Sequence, residues 1–176
     1  MATILPIIEK IRDGCSFRTA LVQHTSILHN YQCELDIFDQ IVYVSAEVYP
    51  DCLDRDLDIT EGSARSISIN SDPGDMALQL ISKRLGGPEH LLNFIPLNKK
   101  IDMTAWKENE MKIYEHLKKG GNRHALMTFA IEYDDESEYI ILRPIKFYYH
   151  FALYENREIV GSVMEGVIDN PSSKEL

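Results

Sequence analysis

The chain has 176 residues, 44% hydrophobic and 26% charged, which is the size and balance of one globular domain with its own core. Eighteen basic residues against 28 acidic ones leave a net charge of −10. That field repels polyanions in general and leaves nucleic acid only a local basic groove or bound cations as a route to the surface. No run of eighteen apolar residues is present, and the first residues lack a basic leader with an uninterrupted apolar core. Neither a membrane span nor a secretory signal is therefore expected, and a cytoplasmic or nuclear location is.

Apolar residues at Ile4, Ile7, Ile8 and Ile11 have helical spacing, with Gly14 as the stop. His24 and His29, five apart, suit neither a helical ligand pair nor one face of a strand, and read as surface or cap residues. Cys15, Cys33 and Cys52 are odd in number and lack CxxC spacing, so reduced thiols are expected, with no zinc site and no disulfide framework. Residues 35–48 predict a hairpin turning near Asp39 and Gln40, followed by an acidic irregular stretch over 50–62.

Ser66 to Ile69 alternate as a half-buried strand does. Asp72-Pro73 is a helix-start signal, the stripe Met76, Ala77, Leu80, Ile81 and Leu85 predicts a helix, and Gly86-Gly87-Pro88 stops it. A second helix over 104–119 turns Trp106, Ile113 and Leu117 inward, with Glu110 on the same face. A carboxylate there needs a cation, a hydrogen-bond donor or a proton. Lys83, Arg84, Lys99, Lys100, Lys107, Lys118 and Lys119 are scattered and read as a solvated face. Residues 124–133 and 139–154 predict strands, the latter broken at Arg143-Pro144. His116, His124 and His150 read as packing residues.

Asp72-Pro73-Gly74-Asp75, Gly86-Gly87, Asn93-Phe94-Ile95-Pro96, Asp102 and Glu110 resemble, in order and spacing, the non-specific DNA/RNA endonucleases of the ββα-metal (His-Me finger) superfamily, particularly the type VII secretion EssD-like form of bacterial toxins. Nine residues separate Asn93 from Asp102 and eight separate Asp102 from Glu110. Trp106 falls where that family often has an aromatic residue, and Arg143-Pro144 and Ile168-Asp169-Asn170-Pro171 are also similar to it. The resemblance implies an α+β fold, a twisted and mainly antiparallel sheet with a nuclease-like core. The ββα unit is expected over 64–86, with the second helix packed beside it. It divides the chain into a helical extension over 1–32, an endonuclease-like domain over 33–171 and a flexible tail over 172–176.

The same resemblance implies catalytic roles for Asp75 and Glu110, metal ligation by Asp102 and Glu110, and structural roles for Asp72, Gly74, Gly86, Gly87, Asn93, Pro96 and Trp106. Mg²⁺ or another divalent cation is the implied cofactor. Nucleic acid, bound weakly because of the net charge, or a protein is the implied partner. Two positions depart from the family: Asp75 stands where its general-base His is expected, and Asp102 stands where its metal-binding Asn is expected. An aspartate with an ordinary pKa of roughly 3.9 is a far weaker base than imidazole. The expected protein is therefore a catalytically degenerate nuclease fold acting as a binding or regulatory module. The rival is an active metal-dependent endonuclease using Asp75, Asp102 and Glu110 as a carboxylate cage. In the degenerate case Asp75 is a helix cap at the third helical position; in the active case the three carboxylates converge.

Overall fold

The computed structural model describes residues 3–21, 27–55, 72–134 and 143–172. Its first helix, α1 (Ile4–Cys15), runs through Gly14 to an extended Ser16. The short strand β1 (Arg18–Thr19) then pairs antiparallel with β2 (His29–Leu35). Between β2 and β3 (Ile41–Val48) lies the expected hairpin turn, where Asp36 accepts the backbone N–H groups of Phe38 and Gln40 and Asp39 takes a positive φ of 62°. β3 pairs with the long β6 (Arg123–Tyr133) and β6 with β7 (Pro144–Glu155). β7 in turn pairs with β8 (Glu158–Ile159) and β9 (Met164–Asp169), so every pair in this seven-stranded sheet is antiparallel. Residues 56–71 and 135–142 lie outside the described residues, which removes the expected strand at 66–69 and the start of the one at 139–154 from view.

Period-two alternation assigns the two faces of this sheet. Tyr43, Ala130 and Tyr148 point to α1, where Ile8 is fully buried between Ile4 and Ile11. Their neighbours Val44, Phe129, Ile131, Phe147, Tyr149 and Phe151 point the other way into the larger core. That core is closed by α2 (Thr104–Lys118), the helix expected over 104–119. Trp106 lies within 6.1 Å of four aromatic rings, those of Phe129, Phe147, Tyr149 and Phe151, and Ile113 and Leu117 are fully buried.

The helix expected after Asp72-Pro73 is absent, and a strand takes its place. β4 (Asp75–Gln79) pairs antiparallel with β5 (Phe94–Asn98), with Asp75 opposite Asn98. Leu80, Ile81 and Leu85 are buried, but they follow the strand through a bend and a 3₁₀ turn over Lys83–Leu85, and Met76 is exposed. An intermittent apolar stripe fits either conformation, and the available partner strand β5 decides between them. The ββα unit is thus β4, β5 and α2, residues 75–118, rather than 64–86.

Gly86 and Gly87 do not stop a helix. Gly86 has φ +87° and closes the 3₁₀ turn, and a Cβ on Gly87 would stand 1.7 Å from the Ile81 carbonyl oxygen. Asn93, fully buried, holds the same loop together. Its amide donates to the carbonyls of Ile81 and Pro88, and its oxygen accepts the Ile81 N–H. Gly87→Ala must therefore break this close approach, and we expect it to cost more stability, about 2 kcal/mol or more in urea unfolding, than the volume of a methyl suggests.

Candidate functional site at the nuclease motif

Asp72, Pro73 and Gly74 form a tight turn into β4, closed by the Asp75 N–H on the Asp72 carbonyl, with Gly74 at φ +101°. The Asp75 carboxylate reaches back to accept the Asp72 N–H at 3.0 Å, the bond expected of a cap, although it closes a turn before a strand and not a helix. The rest of that carboxylate belongs to Arg143. Nε donates to Oδ2 at 2.7 Å and Nη2 to Oδ1 at 3.1 Å, a bidentate pair in which the Asp75 side chain is 0% and the Arg143 side chain 7% exposed.

The chain's own carbonyls take up the remaining guanidinium donors. Nη1 bonds the Asn170 carbonyl at 2.7 Å, while Nη2 bonds the Asn170 amide oxygen and the Pro171 carbonyl. Asn170 is itself saturated: Oδ1 also accepts the Asn98 N–H, and Nδ2 donates to the carbonyls of Pro96 and Pro144. Asp72 completes the shell, 3.6 Å from Arg143 Nε and bonded by the Ser172 hydroxyl. One ion pair thereby ties the motif turn, β5, the start of β7 and the segment after β9 together.

The other two predicted site residues lie elsewhere. Asp102 is exposed at the start of α2, where Oδ1 accepts the Thr104 N–H at 2.9 Å, and hydrogen bonds from Thr104 hold its carboxyl below the ordinary range. Glu110, two turns further along, faces Ser82, beyond the far end of β4 from Asp75. Burial pushes its carboxyl up, against the hydrogen bonds from Ser82 and the charge of Lys107, and Oε1 is buried without a partner. Its surroundings are a cavity of about 170 Å³ lined by Ser82, Arg84, Leu85, Lys107, Met111 and Tyr114.

Among the described residues, the ligand atoms that come within 4.8 Å of one another in a group of three belong to His29, Asp51 and Cys52, and none belongs to Asp75, Asp102 or Glu110. A carboxylate cage of those three acids is not assembled, and Arg143 supplies the positive charge that a cation would have brought to Asp75. His116, His124 and His150 read as packing residues, and the structure gives each of them packed surroundings. His116 is buried with Nε2 at 2.9 Å from the Tyr154 carbonyl, and His124 stacks between Tyr49 and Tyr154. His150 is partly buried, with Nδ1 unpartnered and its pKa lowered chiefly by desolvation.

Sequence reasoning missed the partnership of Asp75 with Arg143 and Asn170. Arg143-Pro144 and Asn170-Pro171 were visible as motifs, but 68 residues separate Arg143 from Asp75, and nothing local signals the contact.

Solved structures with this fold include "Structure of Sda1 nuclease with bound zinc ion", at TM-score 0.57 and 13% identity over 83% of this chain and 76% of that one. An "extracellular endonuclease" matches at 0.54 and 10% identity over 88% and 90% of the two chains. An "extracellular nuclease" matches at 0.50 and 9% identity over 82% and 86%. No family model matches the chain, and no curated protein matches it in sequence. The likeness is one of fold: the chain shares with these nucleases an α+β architecture built on a mainly antiparallel sheet.

Removing one partner of a buried ion pair strands the other, so Asp75→Leu and Arg143→Met should each lower unfolding stability by about 3–5 kcal/mol, and the double variant by clearly less than their sum. Denaturant unfolding of the four proteins measures this coupling directly. Glu110 carries the opposite sign. With its carboxyl held above the ordinary range, its contribution is fully present below the unfolded value and is lost as pH rises through the folded one, so the ionised group is a burden at neutrality. Glu110→Gln should therefore melt higher than wild type near pH 7, by about 2–4 °C for roughly 1 kcal/mol, with the two curves converging toward about pH 4.

Proposed function

We propose that this protein is a nuclease-fold chain without effective hydrolysis, acting as a binding or regulatory module. The observation that carries this reading is the state of Asp75. At the position where the resembling family has its general base, the carboxylate is wholly shielded from solvent and bound bidentately by Arg143. A general base must be within hydrogen-bond reach of the water it deprotonates, directly or through one more water, and the burial of Asp75 and its commitment to Arg143 weigh against that role. The metal-cage alternative lacks a comparable support, since its three acids have separate partners.

A binding role has a local basis despite the acidic field. Arg55, Lys83 and Arg84 line one cavity with Asp54, and Arg84 and Lys107 line the one beside Glu110. Arg84 is held by the face of Tyr114 at 3.6 Å and lies 3.9 Å from Asp54. This clustering supports weak, salt-sensitive contact with a phosphate backbone more than tight binding of a polyanion. The nucleases among the structural neighbours point in the same direction, toward a nucleic-acid partner.

Plasmid DNA and structured RNA incubated with Mg²⁺, Mn²⁺ or Ca²⁺ should remain intact, while a mobility shift at low salt should weaken in Arg84→Ala and vanish as salt is raised. Cleavage that disappears in Asp75→Ala would overturn the proposal.

A further inference from the structure

Away from the motif, the end of β3 brings three potential metal ligands together. His29 opens β2 opposite Glu47, and the 3₁₀ turn Pro50–Cys52 after β3 folds back toward it. His29 Nε2 lies 3.9 Å from Asp51 Oδ1, Cys52 Sγ lies 3.7 Å from that same oxygen, and all three ligand atoms fall within 4.8 Å of one another. Ligands roughly 2.0–2.3 Å from a tetrahedral zinc ion stand about 3.3–3.7 Å apart, so the set is within a small side-chain adjustment of that geometry.

The surroundings orient each donor. The Tyr49 ring lies 4.4 Å from that of His29, and the Tyr49 N–H donates to Cys52 Sγ at 3.4 Å. Gly86 seats the cysteine, because a Cβ there would come within 2.7 Å of the Cys52 carbonyl oxygen and 3.0 Å of its Cβ. Arg55 donates to the Asp51 carbonyl, while burial pushes the Cys52 thiol above its ordinary value, so metal ligation has to draw the proton off. Accessibility is graded: Cys52 is 1% exposed at the base, while the His29 and Asp51 side chains are 48% and 65% exposed at the rim.

We propose that His29, Asp51 and Cys52 form a zinc-type transition-metal site, with solvent in the fourth position. Thiolate and imidazole donors select a borderline-soft ion over Mg²⁺ or Ca²⁺, which favour all-oxygen ligands. On binding, the Cys52 S–H bond breaks, an S–Zn bond forms and the proton passes to solvent. The hydrogen bond from Sγ to the Ile27 carbonyl is given up and that from the Tyr49 N–H is kept. The ion would clip the start of β2 to the turn after β3 and would draw no ligand from Asp75, Asp102 or Glu110, so the site is independent of the motif's own chemistry.

Co²⁺ reports such a site directly, because thiolate ligation gives an intense charge-transfer band that oxygen ligands do not. The reduced, chelator-treated full chain should bind a single equivalent of Co²⁺ with that band, and Zn²⁺ should displace it. Cys52→Ser should remove the band, and His29→Ala, at an exposed position, should weaken Co²⁺ binding by at least about tenfold. A wild-type chain without the band overturns the site, as does a His29→Ala chain that binds with unchanged affinity. A band that survives Cys52→Ser puts the metal on Cys15 or Cys33 and overturns it equally. Should Cys52→Ser fail to fold, His29→Ala and Asp51→Asn decide the question.

Discussion

The structure depends on the ion pair between Arg143 and Asp75. A guanidinium and a carboxylate removed from water are tolerated only if their mutual attraction is reinforced by further hydrogen bonds. Here the Asp72 N–H, the carbonyls of Asn170 and Pro171 and the Asn170 side chain supply them. Because these groups come from the motif turn and from either side of β7 and β9, satisfying the charges also fixes how the β4–β5 hairpin sits against the main sheet. Asn170 extends the constraint to β5 through Asn98 and Pro96.

The same network shows what holds this nuclease-like shape together. The parts that hold the ββα unit together are packing and backbone satisfaction, not catalysis. Asn93 pins the loop at Ile81, Gly87 permits its close approach, and Trp106 fills the space between α2 and the aromatic face of the sheet. None of these needs a functional base. Glu110 is the exception, since its unpartnered oxygen and raised carboxyl are unfavourable to the fold at neutrality, which marks it as the motif residue least explained by structure alone.

Much of the architecture was legible because it is local. The hairpin between β2 and β3, the strand β6 and the helix α2 follow from periodicities of two and 3.6, and Trp106, Ile113 and Leu117 are buried as their spacing predicts. The segment after Asp72-Pro73 was misread because Met76, Ala77, Leu80, Ile81 and Leu85 fit a helix stripe, while its true partner β5 lies some fifteen residues further on. Tertiary pairing overrode local pattern there. The Asp75–Arg143 pair and the His29, Asp51 and Cys52 group were illegible for a related reason. Both are made by strand register, which places residues from distant segments side by side without any spacing rule in the chain.

The proposed loss of hydrolysis turns on two opposed demands at position 75. A general base has to meet water, and it works best when its proton affinity lies near the ambient pH. A carboxylate committed to a buried bidentate arginine has to be shielded, because its value to the fold falls as solvent screens the pair. One residue cannot satisfy both conditions, and Asp75, buried against Arg143, meets the second. The segment after β9 participates through Asn170, Pro171 and Ser172, which bond Arg143 and Asp72. On the proposed reading an imidazole placed at 75 would not act as a base, since Arg143 would keep its positive charge against the ring and its carbonyl partners would hold it there. A working base there would require the arginine, and with it the bonds that anchor the start of β7 to the segment after β9, to change as well.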